Sequence, residues 1–171
     1  SRGLGHLKGG RITPYPAVRD NVHTHSSART ILLDDQGKLW GGTRGSLQGL
    51  SLFEHGSFVR HWSLPHRVLA PGPIYQDRSK AIWFGTSEGL YRFRGEETTE
   101  FKSPNGSSLK DVVAIHEDRE GDFWLGTERS GVHRIRGDQF TTFTATNGLA
   151  SDEIKEIYED STGSLWVGTK A

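Results

Sequence analysis

Asp118-Arg119-Glu120-Gly121-Asp122-Phe123-Trp124-Leu125-Gly126-Thr127 is the stretch that decides the fold, because its markers recur along the whole chain. Trp falls at 40, 83, 124 and 166, with spacings of 43, 41 and 42 residues. Each opens the same pattern: Trp40-Gly41-Gly42-Thr43, Trp83-Phe84-Gly85-Thr86, Trp124-Leu125-Gly126-Thr127 and Trp166-Val167-Gly168-Thr169. Six residues before each Trp stands Asp34, Asp77, Asp118 or Asp160, and three before each Asp stands Ile31, Ile74, Ile115 or Ile157. Markers held in register across four copies define an internal repeat of about forty-two residues.

The remainder of the unit aligns as well. Gly3-Leu4-Leu7-Gly9, Gly89-Leu90-Phe93-Gly95 and Gly131-Val132-Ile135-Gly137 recur, each followed six residues on by an aromatic, Tyr15, Phe101 or Phe143. The second copy runs from Gly49-Leu50 to Gly56 and Trp62 with one extra residue. In the third copy the pattern predicts strands over 112–117, 122–127, 131–136 and 139–144. Turn chemistry at Asp-Arg-Glu-Gly and at Gly137 joins them into an antiparallel meander. Lys80 replaces the glycine found at Gly37, Gly121 and Gly163. Either that turn changes type or Lys80 adopts positive φ, at about 1 kcal/mol or more.

Strand two carries bulk on both faces, Trp124 on one and Phe123 with Leu125 on the other, so each sheet needs a neighbour on either side. Radial stacking of such sheets is the β-propeller solution. The expected fold is therefore all-β, a propeller of four-stranded antiparallel blades over residues 1–171, with units at about 1–43, 44–86, 87–127 and 128–171. The Trp is expected between adjacent blades, with the Gly two residues later leaving room for it and the Thr satisfying a local backbone group. The first copy begins at its third strand and the last stops after its second, so one blade is split between the termini. That phase suits a closed four-bladed ring, a piece of a larger propeller, or two chains that together make eight blades.

Composition bounds the function. The apolar fraction of 33% is low, but five Trp, eight Phe and four Tyr bury large areas per residue. With 21 basic and 21 acidic residues, nothing steers the chain toward nucleic acid or an anionic membrane. No stretch has the length to span a bilayer. The lack of Cys excludes disulfide and thiolate chemistry. A sequence starting at Ser1 and holding no Met reads as a processed or excised segment.

Ile-x-x-Asp-x-x-Gly-x-hydrophobic-Trp-hydrophobic-Gly-Thr, followed by Gly-Leu-x-Arg-Phe, resembles the two-component regulator propeller repeat. The pattern is cleanest from Ile74 through Gly89-Leu90-Tyr91-Arg92-Phe93 and from Ile115 through Gly131-Val132-His133-Arg134-Ile135. The resemblance implies a large propeller, often seven-bladed, lying outside the cytoplasmic membrane as the sensor of a bacterial histidine kinase, hybrid kinase or diguanylate cyclase. Some members sense carbohydrate. This chain departs from the family in having four copies only, and its first copy is degenerate, with Gly41 where the others have Phe, Leu or Val. The shared positions are scaffold positions and designate no ligand residue.

The chemistry-bearing residues point the same way. The four repeated Asp are expected to cap hairpins. Eight His include His23-x-His25, but no spacing promises the three or four convergent ligands that zinc needs, and neither metal nor cofactor is expected. There is no nucleophile elbow and no phosphate-binding loop. Recognition is expected on the loops preceding strand one, 16–27, 63–72, 103–109 and 145–152, and at Arg19, Asn21, His23, His25, His66, Arg67, Asn105, Lys110 and Asn147 in and beside them. These polar groups suit a carbohydrate or peptide ligand. The expected function is a non-catalytic ligand-sensing or protein-interaction propeller of a periplasmic or extracellular receptor. The alternatives are a propeller fragment or engineered repeat that only assembles into a larger ring, and a propeller lyase or hydrolase.

Overall fold

The computed structural model describes residues 3–16, 18–19, 22–23, 27–44, 48–54, 57–64 and 71–170, with side chains for 5–13, 28–44, 48–54, 59–64 and 71–170. The chain opens with a hairpin of β1 (Gly3–Lys8) and β2 (Arg11–Pro16), then a short ladder of β3 (Val18–Arg19) and β4 (Val22–His23). Three four-stranded antiparallel sheets follow. The first comprises β5 (Ser27–Leu33), β6 (Leu39–Arg44), β7 (Gly49–Glu54) and β8 (Ser57–Ser63). The second comprises β9 (Pro71–Gln76), β10 (Ile82–Thr86), β11 (Leu90–Arg94) and β12 (Glu97–Phe101). The third comprises β13 (Val112–Glu117), β14 (Phe123–Thr127), β15 (Val132–Arg136) and β16 (Gln139–Phe143). A final pair, β17 (Ile154–Glu159) and β18 (Leu165–Thr169), supplies strands one and two of the split blade, and β1 and β2 supply strands three and four. The two halves are separate two-stranded sheets.

Each Asp organises its own hairpin. Asp118 Oδ1 accepts the N–H of Glu120 at 3.0 Å and of Asp122 at 2.9 Å, and Asp34 and Asp160 accept the corresponding pairs. The second carboxylate oxygen accepts the indole N–H of the Trp six residues on, at 2.8 Å for Trp40, Trp83 and Trp124 and 2.7 Å for Trp166. Three donors, two in the turn backbone and one in the indole ring, therefore share the single carboxylate of Asp118. Burial raises the Asp118 carboxyl, but the bonds from Trp124 and the turn N–H groups outweigh it and hold the group below its ordinary value. Asp77 follows the same balance. Lys80 takes the second of the two options above, with φ 69° in a turn otherwise like those at Gly37, Gly121 and Gly163.

The strand-two Thr ties the next turn, as expected: Thr43, Thr86 and Thr127 donate to the carbonyls of Gly49, Gly89 and Gly131 at 3.2, 2.8 and 3.0 Å. The Gly before it has a different role from the expected one. A Cβ on Gly126 would lie 2.6 Å from Ile154 Cγ2, and one on Gly85 would lie 3.0 Å from Val112 Cβ. The space is filled by the first strand of the following blade rather than by Trp, so glycine here sets the distance between blades.

Cores form between sheets. Leu50, Ile82, Phe84 and Phe93 join the first two blades. Trp83, Leu90, Val112 and Leu125 join the next two, with the Trp83 ring 5.1 Å from that of Phe123. Ala114, Val132, Ile154 and Ile157 seat β17 on the third blade. Polar bridges reinforce each junction at the residue after the Asp. Asp35 N–H donates to Gln76 at 2.9 Å, Arg78 N–H to Glu117 at 2.9 Å, and Arg119 N–H to Glu159 at 3.0 Å. Arg78 and Arg119 also donate to the carbonyls of Asp118 at 2.5 Å and Asp160 at 2.8 Å.

Candidate ligand-binding face

In an antiparallel meander the Asp hairpins and the strand three-to-four turns share one end of the blades. The strand two-to-three turns and the connections between blades share the other. Two clefts open on that second, loop-bearing end and meet at Asp111.

The first, about 340 Å³, runs across the starts of the first strands and is lined by Arg29, Thr30, Gly72, Ser87, Asp111 and Glu128. Thr30 Oγ1 and Ser87 Oγ are buried there without a hydrogen-bond partner among the described residues. Asp111 has φ 53°, one of two non-glycine residues with positive φ among those described. Its N–H approaches the Ser87 carbonyl at 3.4 Å and its carbonyl accepts Glu128 N–H at 3.0 Å, so this strained residue pins two blade loops together.

The second cleft, about 450 Å³, lies between the 103–110 loop and β15–β16. Lys110 and Arg129 supply positive charge, Asn105 an amide, and Ser107, Ser130 and Thr142 hydroxyls. His133 lines it and is only 6% exposed. Strand alternation places it on β15 opposite Thr142, whose hydroxyl lies 2.9 Å from its Nδ1, while the ring stacks on Phe140 at 5.2 Å. Its Nε2 is buried and has no partner among the described residues. Burial pushes its pKa down, so the imidazole stays neutral and keeps one donor and one acceptor.

Of the residues expected from sequence, Asn105 and Lys110 meet in this cleft. The Asn105 side-chain oxygen also accepts from Ser103 Oγ at 2.7 Å and Ser107 N–H at 3.0 Å, which fixes the loop, and Lys110 pairs with Glu88 at 3.3 Å. Asn147 is exposed and closes the 3₁₀ turn Ala145–Asn147 by accepting Thr144 N–H and donating to the Thr142 carbonyl. Arg19 and His23 sit on the β3–β4 ladder, where Arg19 pairs with Val22 and His23 with Val18; their side chains, and Asn21, His25, His66 and Arg67, lie outside the described residues. Arg129 and His133 were not anticipated. The available signal was their departure from the repeat, since the position of His133 holds Gly5, Ser51 and Tyr91 in the other copies. Among the described residues no three His, Asp or Glu side chains converge as a metal site would require.

Four-stranded sheets packed face to face about a common axis, with connections alternating between the two ends, define this chain as a β-propeller segment. Residues 106–129 and 148–171 match the model of the two component regulator propeller family. The extracellular domain of a protein described as a hybrid two-component system, from B. thetaiotaomicron, is 26% identical, with a TM-score of 0.74 over 98% of this chain and 23% of its own. PorZ, a surface component of the type-IX secretion system of Porphyromonas gingivalis, is 15% identical with a TM-score of 0.72, covering 99% of this chain and 29% of its own. Virginiamycin B lyase of Staphylococcus aureus is 19% identical with a TM-score of 0.66, covering 95% of this chain and 54% of its own. This chain thus spans about a quarter of the sensor ectodomain it matches, and similar folds serve both sensors and lyases. A search of curated protein sequences returns no match.

Proposed function

We propose that the chain is part of a ligand-sensing propeller of a bacterial signalling receptor, working outside the cytoplasmic membrane and without catalysis. The likeness to the B. thetaiotaomicron ectodomain supports the setting. One observation carries the ligand reading: Lys110, Arg129, Asn105 and several hydroxyls surround a buried neutral His133 whose Nε2 has no partner among the described residues. A buried polar atom left without a partner is costly, and a ligand hydroxyl would satisfy it. Dense short hydroxyls and two cations favour an acidic carbohydrate over a peptide, which would call for a free strand edge or apolar side-chain pockets.

The test is calorimetric titration with acidic and neutral oligosaccharides and with acidic peptides. Binding of an acidic oligosaccharide, weakened about tenfold or more by Lys110→Ala or Arg129→Ala, is the expected result. Binding that survives both changes, preference for a peptide, or turnover of the bound sugar would each overturn the reading.

A further inference from the structure

The groove between the first two four-stranded blades holds a space that the chain fills elsewhere with its own arginine. In the second and third blades the strand-three residue directly opposite the Trp is Arg92 or Arg134. Each guanidinium lies over that indole ring, 5.3 Å from its centroid. Arg92 also donates to Asp77 Oδ2 at 3.3 Å and to Ser79 Oγ at 3.0 Å. A planar cation on an indole face is attracted by the ring quadrupole as well as by the carboxylate.

In the first blade the residue opposite Trp40 is Leu52. Leu52 has neither the charge nor the reach of arginine, and a cleft of about 320 Å³ lined by Trp40, Leu52 and Trp62 opens there. The receiving groups are still in place. Asp34 Oδ2 accepts the Trp40 indole N–H at 2.8 Å and no second donor among the described residues, whereas Asp77 Oδ2 accepts both Trp83 and Arg92. Gln36 stands at the position of Ser79 and lines the cleft.

The nearby cations of the chain are engaged elsewhere. Arg60, opposite Leu52 on strand four, lies 5.0 Å over Trp62 rather than over Trp40, and it pairs with Glu96. Lys80 pairs with Asp35 at 2.6 Å. Lys38 stands where the next two blades have Ala81 and Asp122, so its charge opposes a further cation in the cleft.

From the comparison between blades we propose that this cleft binds a guanidinium group supplied from outside the chain. The group lies over the Trp40 ring, rests on Leu52 and donates to Asp34 and Gln36, as Arg92 does to Asp77 and Ser79. The volume is at the small end for ligand pockets, which suits one planar group with its alkyl stem rather than an oligosaccharide. The cleft lies at the opposite end of the blades from His133 and takes a cation where that one takes an acid. The inference is therefore independent of the carbohydrate reading.

The experiment is titration of the 171-residue chain with ethylguanidinium, L-arginine, arginine blocked at both termini and L-citrulline, followed by the Trp40 indole N–H resonance. Citrulline keeps the shape of arginine without its charge. The expected result is saturable binding of ethylguanidinium and L-arginine that shifts the Trp40 signal, with citrulline weaker by about tenfold or more. Blocked arginine binding as tightly as ethylguanidinium assigns the group to an arginine of a protein segment, and its exclusion assigns it to a small molecule. Lys38→Ala should tighten arginine binding, and Gln36→Ala, at an exposed turn position, should weaken it. Leu52→Arg supplies from within the residue that the next two blades carry. It should keep the circular dichroism spectrum and abolish binding. Failure of every guanidinium compound to bind, equal binding of citrulline, or weaker binding in Lys38→Ala overturns the proposal. So does binding that persists in a folded Leu52→Arg chain, or a shift at His133 with Trp40 unmoved.

Discussion

Asp118→Asn is the sharpest probe of how a blade is held. The native carboxylate accepts Glu120 N–H and Asp122 N–H on one oxygen and the Trp124 indole on the other. Asn retains an oxygen for the two turn donors, but its NH₂ then faces the indole N–H, donor against donor. Hydrogen bonds to a charged group contribute about 1.5–3 kcal/mol each, and a buried donor left without an acceptor costs about 1–3 kcal/mol. The expected loss is about 2–3 kcal/mol for Asn, rising to about 3–5 kcal/mol for Asp118→Ala, which strands all three donors. For a chain of this size that lowers Tm by roughly 5–10 °C for Asn. Urea unfolding followed by Trp fluorescence and circular dichroism measures it. In a Trp124→Phe background the indole donor is gone, and Asp118→Asn should cost about 1–2 kcal/mol less. An Asn variant within about 0.5 kcal/mol of the parent, or an unchanged cost in the Phe background, would refute the shared-carboxylate account.

Gly126→Ala should destabilise by about 1–3 kcal/mol, because its Cβ meets Ile154 at 2.6 Å. Gly168→Ala should leave the unfolding midpoint of the single chain unchanged, so the pair compared by chemical denaturation isolates the blade-spacing role. Lys80→Gly relieves a left-handed backbone worth about 1 kcal/mol but loses the exposed 2.6 Å pair with Asp35, worth about 0–1 kcal/mol. The melting temperature should stay level or rise, and a clear fall contradicts it. Folding depresses the Asp77 and Asp118 carboxyls. Their contribution is therefore fully present above the ordinary carboxylate pKa of about 3.9 and is lost as pH falls through the lower folded values. Acid titration should show stability falling below about pH 4, with a shallower fall in Asp118→Asn.

The repeat made the blades legible because Ile, Asp, Trp, Gly and Thr each do the same job in every copy. The strand boundaries followed, with β13 over 112–117 and the other strands of that copy within a residue of expectation. The Asp-to-Trp bond was implicit in the fixed six-residue spacing, although only the turn half of the Asp role was read from it. Contacts that cross blades were not legible. Nothing in the sequence alone places Ile154 rather than Trp against Gly126, or Arg78 on the carbonyl of Asp118, since these depend on how far apart the sheets pack. The candidate cleft was half legible: Asn105 and Lys110 belong to the connection between blades, where variable polar loops drew attention. Arg129 sits in a strand two-to-three turn and His133 within a strand, so only their deviation from the repeat marked them. Asn147 stands in a local turn, a part that Asn in a polar loop plays as readily as that of a ligand contact, and the loop composition alone does not separate the two.

A rival cleft of about 320 Å³ on the opposite end, between Trp40, Trp62 and Arg60, makes the location of binding the decisive question. The most direct measurement follows the ¹⁵N resonances of the His133 ring during titration with an acidic oligosaccharide. The expected result is a neutral imidazole whose Nε2 signal shifts on binding, with the shift abolished in Lys110→Ala. Binding that leaves His133 unmoved while perturbing the Trp40 and Trp62 indoles would contradict it.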